Sequence, residues 1–221
     1  MEIKREILIT ADGSHTLFVP QINEHYHSVN GAIQESIHVF IEAGLHQFSQ
    51  KQIRILEIGF GTGLNAFLTF KEAEENSTQT IEYISIERYP LPEELVDRLN
   101  FGSLIWPERE EFFLHLHRCS WNKPIKIAEH FIFTKIEDDS NSCPLPESID
   151  LIYFDAFAPE KQPEMWTQEI FDKLYAHTSS GGIIVTYCAK GEVRRKMQQA
   201  GFKMERLPGP PGKRHMLRGV K

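Results

Sequence analysis

The sequence has little cysteine and lacks any long hydrophobic run. Its three cysteines form no CxxC pair and leave an odd number, so we expect reduced thiols rather than a disulfide framework or a metal cluster. No apolar stretch approaches the roughly 18 residues of a membrane span. The first residues also lack the apolar segment of a secretory signal. These absences predict a cytoplasmic protein with no membrane attachment and no metal.

What is present is the composition of an ordinary globular chain. With 221 residues, 41% hydrophobic and 25% charged, it suits one α/β domain with a small extension. Its net charge of −7 hides an asymmetry, because residues 190–221 carry ten Lys and Arg against two Glu. That segment is +8 and the remainder −15. It is either a solvated helix face with a basic tail or a phosphate-binding surface for a polyanion.

A glycine-rich loop is the most informative motif. The segment 57–63, Glu-Ile-Gly-Phe-Gly-Thr-Gly, ends the apolar run 53–58 and precedes a helix-like segment, Leu64–Glu75. Glycines at every second position let the backbone approach a ligand and adopt positive φ angles. The spacing differs from the G-x-G-x-x-G of dinucleotide enzymes. With an acidic residue two places before the first glycine, it resembles motif I of S-adenosylmethionine (SAM) methyltransferases.

Short apolar segments alternate with helix-like segments, which predicts a wound α/β sheet. The expected fold is a Rossmann-like SAM-dependent methyltransferase fold. Its sheet is mostly parallel and seven-stranded, with an antiparallel C-terminal strand and a small N-terminal β extension. Residues 1–48 would form that extension and a helix, packed on a main domain at 49–221. The predicted elements are strands 7–10, 16–19, 54–58, 81–86, 131–134, 151–154 and 183–186, a helix at 32–48, and a closing hairpin of strands 203–207 and 215–220.

Carboxylates stand at two of the predicted strand ends, where ligands gather in open α/β sheets. Glu87 is placed to accept hydrogen bonds from both ribose hydroxyls of a nucleoside; otherwise it forms a surface salt bridge with Arg88. Asp155 would be partly desolvated and suited to hold an amine and take its proton; otherwise it is a helix cap or turn residue. Glu57 is either an acceptor for its own loop or a contact to the ammonium of the methionine part.

The segment 155–166, Asp-Ala-Phe-Ala-Pro-Glu-Lys-Gln-Pro-Glu-Met-Trp, resembles the signature of a known family. That family is the methyltransferase domain of MnmC, the bifunctional tRNA wobble-uridine modification protein. Other matching segments occur in the same order and span nearly the whole chain: 26–31, 35–40, 56–65, 87–91, 194–195, 201–202 and 212–217.

The resemblance implies SAM-dependent methylation of the primary amine of 5-aminomethyl-(2-thio)uridine at tRNA position 34, giving the 5-methylaminomethyl form. The expected partner is the anticodon stem-loop of tRNA. The bifunctional proteins carry a second, FAD-dependent domain that makes this amine. Because the sequence ends at Lys221, we expect a standalone methyltransferase without FAD and a separate enzyme that supplies the amine.

Site residues follow from the same resemblance, with Asp155 as the catalytic residue. The expected cofactor-binding residues are Glu57, Gly59, Phe60, Gly61, Thr62, Gly63, Asn65, Glu87, Glu137 and Asp155. The expected substrate-binding residues are Tyr26, His27, Ser28, Phe157, Pro159, Lys161, Trp166, Arg194, Lys213 and Arg214.

Within the substrate set, Phe157 and Trp166 either stack on the uridine or belong to the core. The basic members, together with the cluster 194–196, would contact phosphates. The chain departs from the family at Thr134-Lys135, where the family usually has Gly-Asp and that Asp is expected to bind the adenine amino group. Glu137, Asp138 or a backbone carbonyl would take its place.

Four other functions share parts of this pattern. A SAM methyltransferase of small amines keeps the nucleotide site but leaves the basic segment unexplained. A non-catalytic SAM or nucleoside-binding protein would not need Asp155. An aminopropyltransferase shares the architecture and an active-site Asp, but segment 157–166 does not resemble it. A dehydrogenase is disfavoured by the glycine spacing.

Overall fold

The computed structural model describes residues 3–76 and 78–221, so Met1, Glu2 and Ser77 lie outside the described residues. A small antiparallel sheet opens the chain. It comprises β1 (Glu6–Ile9), β2 (His15–Val19) and β3 (Glu24–His25). This sheet is the predicted N-terminal β extension.

An eight-stranded sheet forms the body of the molecule. Its strands are β4 (Gln52–Ile58), β5 (Thr80–Glu87), β6 (Ile125–Ala128), β7 (Phe131–Glu137), β8 (Ile149–Phe154), β9 (Thr178–Thr186), β10 (Lys203–Pro208) and β11 (His215–Val220). Their spatial order is β10-β11-β9-β8-β4-β5-β7-β6. The five strands from β9 to β7 are parallel neighbours. β11 runs antiparallel to β9 and β10, and β6 antiparallel to β7.

Seven α-helices occur in the described part of the chain. They are α1 (Ala32–Ser36), α2 (Leu64–Glu75), α3 (Glu93–Val96), α4 (Phe101–Ile105), α5 (Glu111–Arg118), α6 (Gln168–His177) and α7 (Gly191–Ala200). A π-helix, Ile37–Glu42, continues α1, and short 3₁₀ turns cover Leu45–Gln47, Pro107–Arg109 and Pro163–Trp166.

Alternation along the strands divides the core into two layers. In β8, Leu151 and Tyr153 pack in one buried cluster, whereas Ile152 and Phe154 pack in the other. Successive strand residues point to opposite faces of a sheet, and helices cover both faces here. The first layer includes side chains of α2 and α5, and the second those of α6 and α7. The predicted Rossmann-like α/β fold is confirmed.

Three details of the fold differ from the prediction. The sheet has eight strands rather than seven, because β6 pairs with the edge of β7; four residues with a register irregularity give too weak a pattern to predict. The predicted helix 32–48 is instead α1, a π-helix and a 3₁₀ turn, broken at Gly44. β7 continues to Glu137, three residues past its predicted end, so Thr134 and Lys135 lie inside the strand.

Hydrogen bonds join the N-terminal segment to two places after β5, Tyr89 and Asn100, the residue before α4. Asn100 Oδ1 accepts from His15 N at 2.9 Å, and Asn100 Nδ2 donates to Gly13 O at 3.0 Å. Arg5 donates to Tyr89 O at 3.1 Å. These contacts hold the N-terminal sheet beside the ends of β4 and β5. The division at residues 48 and 49 stays a prediction.

Within residues 3–76 and 78–221, no helix is both long and apolar enough to cross a membrane.

Candidate active site

A cavity of about 630 Å³ lies at the carboxyl ends of β4 and β8. These strands flank the point where the strand order reverses, since β5 and β7 follow on one side and β9 on the other. Ligands of doubly wound sheets bind at this switch point. The volume falls within the roughly 300–1,000 Å³ of small-molecule sites. The fold therefore places a ligand site where the sequence predicts one.

The glycine loop forms the floor of this cavity and needs its glycines. Gly59 has φ +93° and Gly63 has φ +73°, in the left-handed region that favours glycine. A Cβ on Gly59 would lie 3.0 Å from Asp155 O, and one on Gly63 would lie 2.6 Å from His117 Nε2. One side of the loop therefore packs tightly against Asp155 and His117, while the main chain on the other side faces the cavity.

Two histidines, the buried His27 and the half-buried His117, hold Thr62 at the centre of the loop. His27 Nε2 lies 2.6 Å from Thr62 Oγ1, and His117 Nε2 donates to Thr62 O at 2.9 Å. Burial lowers the pKa of His27 to about 4 and that of His117 to about 3, so both rings are neutral at pH 7. His27 was predicted to bind substrate. It lines the cavity, but its ring nitrogen is bonded to the loop.

Glu87 is fixed at the end of β5 by two main-chain amides. Its Oε2 accepts from Gly61 N at 2.9 Å and its Oε1 from Tyr89 N at 2.7 Å. Arg88, the alternative partner, pairs instead with Asp139 at 2.9 Å. Each carboxylate oxygen keeps a second lone pair that can accept a hydroxyl proton. The geometry favours the ribose contact over the salt bridge.

Asp155 follows β8 and reaches the cavity beside the glycine loop. Its Oδ2 accepts from Asn65 Nδ2, in the first turn of α2, at 2.8 Å. Burial raises the pKa of Asp155 to about 7, and the bond from Asn65 opposes that rise. A carboxylate with this pKa exchanges a proton near neutral pH, as a general base for an amine requires.

Glu57 lies beneath the loop and is fully buried, outside the cavity wall. Ser85 Oγ donates to its Oε2 at 2.6 Å. Burial raises the pKa of Glu57 to about 8, so the group is mostly neutral at pH 7. The observed bond joins Glu57 to β5 rather than to its own loop, and the side chain lies outside the cavity wall, where it contacts no ligand directly.

Aromatic side chains form the wall opposite the loop. The Tyr26 ring meets the Phe157 ring edge-on, with centroids 5.0 Å apart, and Arg5 Nε donates to Tyr26 OH at 3.0 Å. Both rings line the cavity. Trp166 does not, because it is 1% exposed and donates to Phe157 O at 2.7 Å. The predicted contact of Trp166 with the uridine is therefore wrong, and Trp166 supports the wall from the core.

Of the other predicted substrate residues, Ser28 and Lys161 line the cavity. Pro159 is buried outside the wall, and Arg194 and Arg214 lie away from it. Lys213 reaches the cavity, but its Nζ pairs with Glu35 Oε1 at 2.5 Å. The phosphate contacts expected of the basic residues stay a prediction; of these residues, Lys161 and Lys213 line the cavity.

The predicted adenine contact of Glu137 also needs correction. Glu137 is exposed and lies outside the cavity, whereas Asp139 and Ser140 line it. The family departure at Lys135 has a structural explanation. Its side chain is buried, with Nζ 4.4 Å from the centroid of Trp121 and a hydrogen bond to His117 O. Through this bond Lys135 joins β7 to α5, the helix that carries His117, and it takes no part in the cavity wall.

Sequence reasoning missed several cavity residues. Gln162 Oε1 accepts from Phe157 N at 3.2 Å, and Tyr187 OH donates to Ala156 O at 2.9 Å, so both fix the segment after Asp155. Glu35 lines the cavity from α1. Gln162 and Glu35 lie in segments that carry the family resemblance, but nothing in those segments singled them out as cavity residues. In the described part of the chain, no group of three or more His, Cys, Asp or Glu side chains is arranged to hold a metal ion.

Comparisons with known proteins agree with this geometry. A family model described as S-adenosyl-L-methionine-dependent methyltransferase matches residues 113–221. The tRNA 5-methylaminomethyl-2-thiouridine biosynthesis bifunctional protein MnmC of Nitrosospira multiformis is 30% identical over 92% of this chain and 35% of its own length. The protein of the same name from Pseudomonas entomophila is 31% identical over 90% and 33%. The crystal structure of MNMC2 from Aquifex aeolicus superimposes with a TM-score of 0.80 at 28% identity, covering 99% of this chain and 70% of that one.

The chain is similar to the MnmC proteins over nearly its whole length. It spans about a third of the length of the curated MnmC relatives that it matches. The site fits SAM on two observations. Gly59 and Gly61, at positive φ, line the cavity without side chains, and the Glu87 carboxylate is held at the adjacent strand end. Gly59, Phe60, Gly61, Thr62, Asn65 and Glu87 line the cavity around this glycine cradle. Gly63, predicted to bind the cofactor, lies outside the cavity wall and against His117.

Proposed function

We propose that this chain methylates the primary amine of 5-aminomethyl-(2-thio)uridine at position 34 of tRNA, using SAM, and gives the 5-methylaminomethyl product. The single observation that carries the proposal is the position of Asp155. A carboxylate with a pKa near 7 lies at the lip of a methyltransferase-type nucleotide cradle, bonded to Asn65 and faced by Tyr26 and Phe157.

The chemistry assigns clear tasks to these residues. SAM, when bound, supplies a methyl group on a positively charged sulfur. An ammonium has no lone pair, so Asp155 would bind the substrate ammonium, accept its proton and hold the neutral amine in line. Tyr26 and Phe157 would enclose the uracil ring and exclude water. The transfer neither oxidises nor reduces the substrate, so we propose that it needs no FAD. We also propose that it needs no metal, because the deprotonated amine is itself the nucleophile.

The tRNA assignment draws on the relatives, whose names place them in tRNA 5-methylaminomethyl-2-thiouridine biosynthesis. Lys161 at the cavity and exposed cations elsewhere offer contacts for the phosphates of an anticodon stem-loop. We further propose that a separate enzyme supplies the aminomethyl-uridine and that the reaction occurs in the cytoplasm, where tRNA is used.

Transfer of labelled methyl from SAM to defined acceptors tests the proposal. We expect incorporation into tRNA that bears aminomethyl-uridine, and none into the same tRNA with unmodified uridine. Incorporation into tRNA should fall steeply with added salt, because phosphate contacts release counterions. Equal methylation of free small amines, insensitive to salt and to RNA, would instead establish a small-amine methyltransferase.

A further inference from the structure

Glu35 and Lys213 form an ion pair inside the cavity that the methyl-transfer chemistry does not use. They are 178 positions apart in sequence, and the Glu35 side chain is 8% exposed while that of Lys213 is 32% exposed. Both line the same cavity as Asp155. Burying a charged pair is costly unless the pair is well bonded, so its presence at the substrate site calls for a function.

Each partner is held from a second side. Glu35 Oε2 accepts from Ser28 N at 2.9 Å, which fixes the carboxylate against the N-terminal segment. The Lys213 ammonium lies 3.9 Å from the centroid of the Tyr187 ring, in a cation–π contact. Tyr187 is itself anchored by its bond to Ala156 O. Lys213 therefore has an anion and an aromatic face that both hold it in one place.

The position of that ammonium matters because the proposed substrate is also an ammonium. Lys213 and Asp155 interact electrostatically across the cavity, and Glu35 acts on Asp155 in the opposite direction. A lysine freed from Glu35 would have Asp155 as an alternative carboxylate in the same wall, one with which it already interacts. Opposite charges in contact near a protein surface attract each other, so the Lys213 ammonium and the substrate amine would compete for the same carboxylate.

We propose that Glu35, with Tyr187, holds Lys213 away from Asp155 and so reserves the Asp155 carboxylate for the cationic amine of the substrate. Glu35 is thus a positioning residue, and this inference rests on the proposed function. The groups that interact with Asp155 are Asn65 from α2, Glu57 from β4, Tyr83 from β5, Glu35 from α1, Lys213 from the β10–β11 loop and Tyr187 after β9.

A double-variant cycle tests this arrangement with aminomethyl-uridine tRNA as substrate. Glu35→Gln keeps an acceptor for Ser28 N but releases Lys213, and should lower kcat/KM by about 100-fold, the contribution of a general base. Glu35→Gln combined with Lys213→Met removes the competing cation, so kcat/KM should recover to within about 5-fold of wild type. The remaining loss would come from imperfect packing of the two new side chains. SAM affinity should change little in either protein.

Glu205→Gln is a matched control, because Glu205 pairs with Arg218 at 2.7 Å on the same hairpin but lies outside the cavity. It should leave kcat/KM unchanged. If the double variant is as slow as Glu35→Gln, or if Glu35→Gln is as fast as wild type, the proposal is wrong. A wild-type enzyme that methylates no tRNA would overturn the proposed function instead, so the two failures are distinguishable.

Lys213→Met provides a test that does not depend on the folding of Glu35 variants. The proposal predicts that it stays active, with the acid limb of the kcat/KM profile moved to higher pH, because a cation that favours the charged form of Asp155 is lost. Loss of activity with SAM binding intact would show that Lys213 itself contacts the substrate, and would overturn the proposal. A crystal structure of Glu35→Gln should show Lys213 Nζ against Asp155.

Discussion

The side-chain amide of Asn65 donates a 2.8 Å hydrogen bond to Asp155 Oδ2, joining α2 to the end of β8 across 90 positions of sequence. The bond fixes one carboxylate oxygen and leaves the other for a ligand. Asn65 was predicted to bind the cofactor, and its observed partner indicates a second task, the orientation of the proposed base.

Asn65→Ala should shift the pH dependence of methyl transfer. The bond from Asn65 lowers the pKa of Asp155 against the larger effect of burial. Without it the Asp155 pKa rises, so the acid limb of kcat/KM against pH should move upward from about 7. The measurement is a pH profile under limiting tRNA. An unmoved acid limb would show that Asp155 is not the group that titrates.

Asp155→Asn should lower kcat by at least about 100-fold, because the amide cannot take the ammonium proton. SAM binding, followed by calorimetry, should persist, because the glycine cradle and Glu87 are untouched. Near-normal turnover in this variant would show that Asp155 is not the base that accepts the ammonium proton.

Gly63→Ala should weaken SAM binding and destabilise the fold. The residue has φ +73°, and its Cβ would meet His117 Nε2 at 2.6 Å. Backbone strain of this kind costs about 1–3 kcal/mol, which thermal unfolding with and without SAM would measure. Gly181→Ala is the matched control, since φ is +78° there but no atom lies within 4 Å of the added Cβ. Equal losses in the two variants would mean that the contact with His117 adds nothing.

Alanine substitutions at Trp166 and Phe157 should affect different properties, stability for Trp166 and tRNA binding for Phe157. Trp166→Ala leaves a cavity in the core and should reduce the free energy of unfolding by about 3–5 kcal/mol. Phe157→Ala opens the cavity wall and should raise KM for tRNA with a smaller loss of stability. Chemical unfolding and steady-state kinetics on both variants distinguish these outcomes. If Trp166→Ala is as stable as wild type but has a raised KM for tRNA, Trp166 contacts the substrate and the assignment to the core is wrong.

Glu57 should make the protein less stable as pH rises. Burial raises its folded pKa to about 8 from an ordinary value of 4.5, so the folded state favours the neutral acid. The stabilising contribution is complete below pH 4.5 and is lost as pH rises through about 8. Glu57→Gln has no group that titrates here, so its free energy of unfolding should not fall in this way. Urea unfolding at pH 5 and pH 8 should show that the variant is more stable relative to wild type at pH 8 than at pH 5.

The sequence predicted those parts of the site that local patterns determine. The glycine loop, Glu87 and Asp155 each follow an apolar strand, and parallel strands bring their carboxyl ends together, so their meeting follows from the fold. Trp166 was predicted to bind substrate but lies in the core, because the sequence of a motif does not show whether an aromatic side chain faces a ligand or the core. The Glu35–Lys213 pair joins α1 to the last hairpin, and no local spacing indicates a contact over 178 positions.

Tandem mass spectrometry of the wobble nucleoside tests the central claim most directly. Purified protein, SAM and tRNA that bears aminomethyl-uridine would be incubated, and the digested nucleosides compared for wild type and Asp155→Asn. The account predicts a gain of one methyl group on the exocyclic amine with wild type and none with the variant. A nucleoside left unmethylated by a wild-type protein that binds SAM would contradict it.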